Sequence, residues 1–174
     1  MSKYIPLSKG KIATVDNKDY EYLNQFKWQF KIGRGKTTGY AARTEYLGKV
    51  DGKYKTRTVL MHKEIMCSPD HDIDHRDGDG LNNQRSNLRL ATPSQNAMNK
   101  GKQTFKKGRP SSKYKGVYWH SRDGHWVAGI NVGKKRIEIG IFCTEIDAAM
   151  AYDEMALKHY GGFAKINGDS HRKA

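Results

Sequence analysis

The sequence predicts an α+β protein with two small antiparallel sheets in tandem. Short runs of alternating apolar residues occur in the first 60 residues and again between residues 114 and 142. Clear helical spacing of apolar residues follows only after Thr144. A basic segment with Gly, Pro and Ser between them has the composition of a linker. The expected divisions are an N-terminal domain over residues 1–99, a basic linker over 100–112 and a C-terminal domain over 113–174.

The N-terminal domain begins with a predicted hairpin over residues 4–16. Residues 19–30 mix helical and alternating spacing, and we interpret them as a short helix to about Lys27 followed by a strand. Two further strands are predicted at 40–43 and 56–61, each after a turn that contains glycine. The aromatic side chains of the second segment favour a core role, with a base-stacking platform as the alternative.

Composition points to a polyanionic partner. The chain has 174 residues, with 32 Lys and Arg against 18 Asp and Glu, a formal net charge of +14. No long apolar run predicts a membrane span. Cys67 and Cys143 are too far apart in sequence for a Cys-x-x-Cys zinc pair. The N-terminus lacks the apolar core of a secretory signal, so we expect a cytoplasmic protein that is not secreted.

A local cluster of acids reverses this basic balance. Six of the acidic residues lie close together in the sequence: Glu64, Asp70, Asp72, Asp74, Asp77 and Asp79. Carboxylates gathered inside a basic protein indicate a bound cation. A calcium EF-hand does not fit, because that loop needs a glutamate at its twelfth position. Here Arg85 is twelfth from Asp74, and Leu88 is twelfth from Asp77.

The residues after Asp72 have the chemistry needed to cut a phosphodiester bond. A histidine such as His75 can accept a proton from water near neutral pH, and a carboxylate such as Asp74 can hold Mg²⁺. Thr92-Pro93-Ser94-Gln95 has the form of a helix capping box, which puts Asn96 in the first turn of a short helix. The segment 72–99 is therefore predicted to be a strand, loop, strand and helix.

Asp74-His75, Asn87 and Asn96 match the motif of HNH nucleases, in the variant where asparagine replaces the last histidine, and the surrounding sequence resembles HNH homing endonucleases of phages and bacteria. The resemblance implies a ββα-metal finger over 72–99 that uses one divalent ion, Mg²⁺ or Mn²⁺. Asp74 and Asn96 would bind this ion, His75 would be the general base and Asn87 would orient the loop. His62 is a secondary candidate, with a structural role or a phosphate contact.

The C-terminal domain is predicted to be a three-stranded antiparallel sheet packed on one helix. The strands are 114–121, 126–131 and 135–142, and Thr144 caps the helix. Alternation assigns one face to the helix: Val117, Trp119, Trp126, Ala128, Ile130, Ile137, Ile139 and Ile141. The opposite face carries polar residues: Tyr118, His120, Asn131, Arg136 and Glu138.

Four segments carry a second resemblance, to the plant ethylene-response (APETALA-type) DNA-binding domain: 114–117, 139–142, 147–153 and 164–167. That family reads DNA with its sheet. Lys115 and Arg136 fall at positions where the family contacts DNA with arginine, so the resemblance implies that both contact DNA. The sequence departs from the plant pattern at Tyr118, Asn131 and Glu138. The predicted DNA contacts are Lys115, Tyr118, His120, Asn131, Arg136 and Glu138, with Lys106, Lys107 and Arg109 from the linker.

The sequence as a whole therefore predicts a site-directed, metal-dependent DNA endonuclease of the homing type. We expect a monomer that nicks double-stranded DNA in a bacterial or phage-infected cell. One alternative is a DNA-binding transcription regulator with an inactive HNH domain. Another is an adaptor in which the metal is purely structural.

Overall fold

The computed structural model describes residues 1–33, 38–67, 70–102 and 112–168, and it divides into compact units at 1–92 and 93–174. Its short helices and small antiparallel sheets confirm the predicted α+β class. The predicted linker contacts Lys106, Lys107 and Arg109 lie outside the described residues. In the parts of the chain that the structure describes, no helix has the length and apolarity to span a membrane.

The first unit contains seven strands and two short α-helices among its described residues. In chain order they are β1 (Ser2–Pro6), β2 (Ile12–Asp16), α1 (Asn17–Leu23), β3 (Gln29–Ile32), β4 (Gly39–Val50), β5 (Lys53–Leu60), α2 (Met61–Ile65), β6 (Asp72–His75) and β7 (Leu88–Ala91). Strands β1 and β2 form the predicted hairpin, β3, β4 and β5 form one sheet in that order, and β6 pairs with β7.

Helix α1 is shorter than the sequence predicts. It ends at Leu23 and not near Lys27. The carbonyl of Leu23 instead accepts hydrogen bonds from the Phe26 backbone at 3.2 Å and the Trp28 indole at 2.8 Å. The indole nitrogen of the buried Trp28 therefore satisfies a carbonyl that the end of the helix leaves without an intrahelical partner.

The core of the first unit joins all its sheets. Its buried apolar residues are Ile5, Leu7, Ala13, Val15, Leu23, Trp28, Ala41, Met61, Ile65, Ile73 and Leu88. Most of the aromatic residues between 20 and 30 pack in or against this cluster, as the core interpretation predicts. Tyr22 is 52% exposed and donates its hydroxyl to Glu64. The sheets thus form one packed support for the β6–β7 hairpin.

The second unit contains α3 (Pro93–Met98), β8 (Val117–His120), β9 (His125–Val132), β10 (Lys135–Phe142) and α4 (Glu145–Tyr160). The strand order is β10-β9-β8, all antiparallel, and α4 packs on the sheet. Thr144 caps α4, since its hydroxyl oxygen accepts from Asp147 N at 3.1 Å. The buried core residues of the second unit are Tyr114, Val117, Ala128, Ile130, Ala148, Ala149, Tyr152 and Ala156.

One part of the predicted inner face is wrong. The β9–β10 register shifts between Glu138 and Gly140, which is a bulge that reverses the alternation beyond it. Ile141 is therefore 61% exposed, and Phe142 packs against the core instead. The predicted burial of Trp119 and Ile137 is also incomplete; they are 39% and 36% exposed.

Candidate active site and nucleic-acid interface

The β6–β7 hairpin places a buried ion pair at the predicted metal ligand. Asp74 and Arg89 are cross-strand partners, and their side chains are only 5% and 10% exposed. The Nε of Arg89 donates to Asp74 Oδ2 at 2.8 Å, and a terminal guanidinium nitrogen lies 2.6 Å from the same oxygen. The carboxylate is therefore held in one position by a cation on the neighbouring strand.

His75 is the next residue of β6 after Asp74 and is also buried, with 5% of its surface exposed. Successive side chains of a strand project to opposite sides, so Asp74 and His75 face different surroundings. The imidazole meets the His62 ring edge to face, with centroids 5.0 Å apart and planes at 89°. The Tyr40 ring lies 5.8 Å from it. The rings of His62 and Tyr40 thus hold the predicted base in its orientation.

Burial lowers the pKa of His75 below the ordinary imidazole value. A hydrogen bond with the Asn83 side chain opposes this shift, as do the charges of Asp77, Asp74 and Asp79. The net effect keeps His75 neutral at neutral pH, and a neutral imidazole can accept a proton.

The sequence predicts His62 as a secondary candidate for the functional site. In the structure its ring packs against the ring of His75. It is 5% exposed, and burial, followed by the charges of His75 and Lys63, lowers its pKa to about 3. The Tyr40 ring packs 5.3 Å from it. His62 is therefore uncharged at neutral pH and acts as packing for the His75 ring.

Asn87 ties together the loop between β6 and β7. Its Nδ2 donates to Asp77 Oδ1 at 2.9 Å and to the Asn82 carbonyl at 2.8 Å. Its Oδ1 accepts from Asp77 N at 3.1 Å, and its carbonyl accepts from Arg76 N at 2.9 Å. Burial would raise the pKa of Asp77, but the hydrogen bonds from Asp79 N, Asn82 and Asn87 outweigh it and lower that pKa. The loop is thus ordered around an ionised carboxylate.

The N-terminal hairpin holds this loop in place. Thr14 N donates to the Leu81 carbonyl at 2.9 Å, and the Thr14 carbonyl accepts from Asn83 N at 2.7 Å. Gly80 lies so close to a neighbouring chain segment that a Cβ there would be 2.4 Å from the Gly39 carbonyl oxygen and 2.7 Å from the Tyr40 ring. Only glycine allows this approach.

The chemistry of Asp74 suits a hard divalent ion. Mg²⁺ and Mn²⁺ take oxygen ligands, and Arg89 holds this carboxylate in a defined position. Asn96 lies on α3 and is half-buried. Its role as the second ligand stays a prediction, as does the assembly of β6, β7 and α3 into a metal finger.

The second unit presents the predicted DNA contacts on the face of its sheet opposite α4. Tyr118, Asn131, Arg136 and Glu138 share this face by the strand register. The Arg136 guanidinium lies 5.1 Å from the Tyr118 ring centroid, and the Tyr118 hydroxyl donates to Glu138 at 3.5 Å. Gly129 leaves room for the Arg136 side chain, since a Cβ at residue 129 would be 3.3 Å from the guanidinium. Arg136 is exposed, and its guanidinium lies over the Tyr118 ring.

Lys115 is half-buried and not fully exposed at the surface. Its Nζ donates to the Met98 carbonyl at 2.5 Å, and burial, with Lys165 nearby, lowers its pKa to about 8. Lys115, Asn131 and Arg136 line one open cleft of about 880 Å³ in this unit.

Sequence reasoning missed three residues of the first site. Arg89, Asn83 and Tyr40 each contact or influence the side chains of Asp74 or His75. The signal for Arg89 was available, because pairing the predicted strands puts it opposite Asp74. Tyr40 and Asn83 carry no such signal, since their contacts depend on the tertiary packing of distant segments.

A comparison over most of the chain decides the family. The chain is 34% identical over 159 residues to an uncharacterized HNH endonuclease of Acanthamoeba polyphaga mimivirus, a match that covers 91% of this chain and 76% of that protein. The chain belongs to the HNH endonuclease family. The family model described as HNH endonuclease matches residues 44–98, which include Asp74, His75, Asn87 and Asn96.

The chain also carries an AP2 domain, whose family model matches residues 112–162. The chain is 46% identical over 61 residues to APETALA2-like protein 2 of Oryza sativa, covering 34% of this chain and 14% of that protein. It is 39% identical over 66 residues to an AP2-like ethylene-responsive transcription factor of Arabidopsis thaliana, covering 37% and 19%. The chain thus spans only a small part of its plant relatives. HNH and AP2 domains both bind DNA, so DNA is the partner that both halves of the chain share.

Proposed function

We propose that this HNH endonuclease hydrolyses phosphodiester bonds of double-stranded DNA in a metal-dependent reaction, at sites selected by its AP2 domain. One observation carries the proposal: a buried, neutral His75 stands next to a buried, anchored Asp74 on the same strand. A general base and a metal-binding carboxylate are the two groups that phosphodiester hydrolysis needs from a protein.

In this proposal His75 takes the proton from the attacking water. The edge-to-face ring of His62 and the nearby Tyr40 keep the imidazole in one orientation, so both are positioning residues. Asn87 keeps the loop after His75 folded through its bonds to Asp77 and Asn82. The low pKa of His62 keeps this support uncharged and avoids repulsion if His75 becomes protonated.

Asp74 would hold the divalent ion, with Asn96 as the second ligand proposed from the family motif. When bound, Mg²⁺ or Mn²⁺ supplies charge stabilisation for the phosphate and the leaving oxygen. Arg89 keeps the Asp74 carboxylate in position for this role through its two contacts with Oδ2. A buried carboxylate that already has a fixed cation partner is ordered before the ion arrives, which lowers the cost of ligation.

The AP2 sheet would hold the DNA through the face opposite α4. Arg136 is exposed there, and an arginine on a β-ribbon in the major groove can read a guanine edge with two hydrogen bonds. Lys115, Tyr118, His120, Asn131 and Glu138 complete the proposed contact set. Lys115 would have to release the Met98 carbonyl before it could contact DNA.

The experiment is incubation of supercoiled plasmid with the full-length protein, with Mg²⁺ and with EDTA. The proposal predicts cleavage with Mg²⁺ and none with EDTA, and loss of cleavage in Asp74→Ala. Equal cleavage in EDTA would contradict the metal-dependent mechanism. DNA binding with no cleavage under any metal condition would instead favour a DNA-binding regulator with an inactive nuclease domain.

We further propose that the enzyme acts as a monomer and nicks one strand, in the manner of a homing endonuclease with a long asymmetric site. The chain has one Asp74-His75 pair, so one base serves one phosphate at a time. Two unlike DNA-binding regions in tandem suit a non-palindromic target. On a plasmid with one target, open-circular DNA should accumulate before linear DNA. Linear DNA without that precursor, or a dimer by light scattering, would contradict this part.

A further inference from the structure

A second group of metal-ligating side chains lies in the AP2 domain, at the turn between β8 and β9. His120 ends β8, His125 begins β9, and the two are cross-strand partners. Asp123 stands in the turn between them. These three offer one ligand atom each, and those atoms all lie within 4.8 Å of one another.

The ligand atoms of this group lie close together, although the two imidazole rings do not yet face a common point. The imidazole rings of His120 and His125 stack with centroids 5.2 Å apart and planes only 8° from parallel. His120 Nδ1 lies 3.1 Å from Asp123 Oδ2. Ligands about 2.0–2.2 Å from a tetrahedral ion are about 3.3–3.6 Å from one another, so the two imidazole rings must rotate out of their stack and tilt towards the ion to close the site.

The turn itself is fixed by the backbone. Gly124 N donates to the His120 carbonyl at 2.9 Å, and Gly124 has a φ of +65°, which favours glycine. The ladder between β8 and β9 holds the two histidines opposite each other on the same face as Tyr118. The backbone positions of the ligands are therefore set before an ion binds, and only their side chains have to be ordered.

We propose that His120, Asp123 and His125 form a binding site for a divalent transition-metal ion of the zinc class. Two imidazoles and one carboxylate are a ligand set that Zn²⁺, Co²⁺ and Ni²⁺ accept, whereas Mg²⁺ prefers oxygen ligands alone. Three protein ligands leave a fourth position for water or a phosphate oxygen. The side chains of His120 and Asp123 are 42% and 54% exposed, so the site lies at the protein surface.

The site would give the hairpin two properties. The ion joins the ends of β8 and β9, which stabilises the turn. It also adds positive charge at one end of the face that carries Arg136, where the proposed DNA phosphates would lie. In this case His120, which belongs to the proposed contact set, would reach the DNA through the bound ion and not through its own ring. The site does not depend on the nuclease reaction, because Asp74 and His75 belong to the other unit.

The test is a Zn²⁺ titration of the tag-free, full-length protein in excess Mg²⁺, followed by the imidazole ¹H–¹⁵N signals of its seven histidines in NMR. The signals of His120 and His125 should shift before those of His62 and His75. Loss of a residue that merely supports a ligand lowers metal affinity about 10- to 100-fold, so His125→Ala and Asp123→Asn should each lower it at least that much. Asp123→Asn keeps the size of an exposed turn residue, which guards against misfolding.

His159→Ala is the matched control, because His159 is an exposed histidine in the same domain. This variant and Asp74→Ala should both bind Zn²⁺ at the hairpin with wild-type affinity. Zn²⁺ shifts confined to His62 and His75 would overturn the proposal. So would unchanged affinity in both His125→Ala and Asp123→Asn.

Discussion

Asn87 and Asp77 bind each other in both directions: Asn87 Nδ2 donates to Asp77 Oδ1 at 2.9 Å, and Asp77 N donates to Asn87 Oδ1 at 3.1 Å. Asp77 is two residues beyond His75, at the start of the loop, and Asn87 is at its end. The pair therefore closes the loop at its base. The asparagine of the HNH motif has a structural task here that its hydrogen bonds explain.

Asn87→Ala should open this loop. It removes one of the hydrogen-bond donors to the Asp77 carboxylate and the side-chain acceptor of the Asp77 backbone amide, and a polar group that loses its partner costs about 1–3 kcal/mol. We expect a lower free energy of unfolding in urea and a slower Mg²⁺-dependent cleavage rate. Gln84→Ala is the control, because it removes one exposed hydrogen bond from the same loop to Ser2. Equal behaviour of the two variants would contradict the role of Asn87.

Gly80→Ala should move the loop against its neighbour. The new Cβ would lie 2.4 Å from the Gly39 carbonyl oxygen and 2.7 Å from the Tyr40 ring, which packs on His75. Overpacking of this kind costs about 1–3 kcal/mol, so thermal stability and cleavage rate should both fall. Gly101→Ala is the matched control, since a Cβ there meets nothing within 4 Å. A Gly80→Ala protein as stable and active as Gly101→Ala would refute the close approach.

The sequence predicted the strands around this site well, because their information is local. Alternation and turn residues are enough to locate β6 and β7, and pairing them puts Arg89 opposite Asp74. The rings of Tyr40 and His62 reach His75 only through the packing of the whole first unit. No pattern of spacing encodes contacts of that kind, so this part of the site needed the structure.

The buried His62 should make the protein less stable in acid. Its pKa is about 3 in the folded protein against 6.5 for an ordinary histidine, so between these values the unfolded state binds an additional proton. Its stabilising contribution is complete above about pH 6.5 and decreases as the pH falls towards 3, by at most about 1.4 kcal/mol per pH unit.

His62→Phe keeps a ring and removes this titration. Its free energy of unfolding should fall less steeply between pH 6.5 and 3 than that of the wild type. His159→Phe changes an exposed histidine and should follow the wild-type slope. Parallel curves for His62→Phe and the wild type would mean that His62 is not buried in its neutral form.

Arg136→Ala should relax sequence discrimination. If Arg136 reads a guanine edge, its loss should cost about 1–3 kcal/mol of discrimination at one base pair, with smaller effects elsewhere in the site. Selection from a random DNA pool, followed by binding to single-base variants, measures this. Lys158→Ala, an exposed cation on α4, is the control. Unchanged specificity in Arg136→Ala would contradict base recognition by Arg136 and indicate that residues outside this sheet recognise the DNA sequence.

In the C-terminal sheet, the polar face could be predicted from the sequence but the bulge could not. Alternation predicted the polar face with Tyr118, Asn131 and Arg136, and the register agrees. The bulge after Glu138 could not be anticipated, because an additional residue in one strand leaves the hydrophobic pattern nearly unchanged while it exposes Ile141.

The central claim is that His75 is the general base of a DNA-cleaving reaction. The most direct measurement compares His75→Ala with wild type for plasmid cleavage and for DNA binding under identical conditions, with the exposed His71→Ala as control. Loss of a general base typically lowers the rate about 100- to 10,000-fold. The account predicts a loss of that size in His75→Ala with DNA affinity nearly unchanged, and wild-type cleavage by His71→Ala. Cleavage by His75→Ala at the wild-type rate would contradict it.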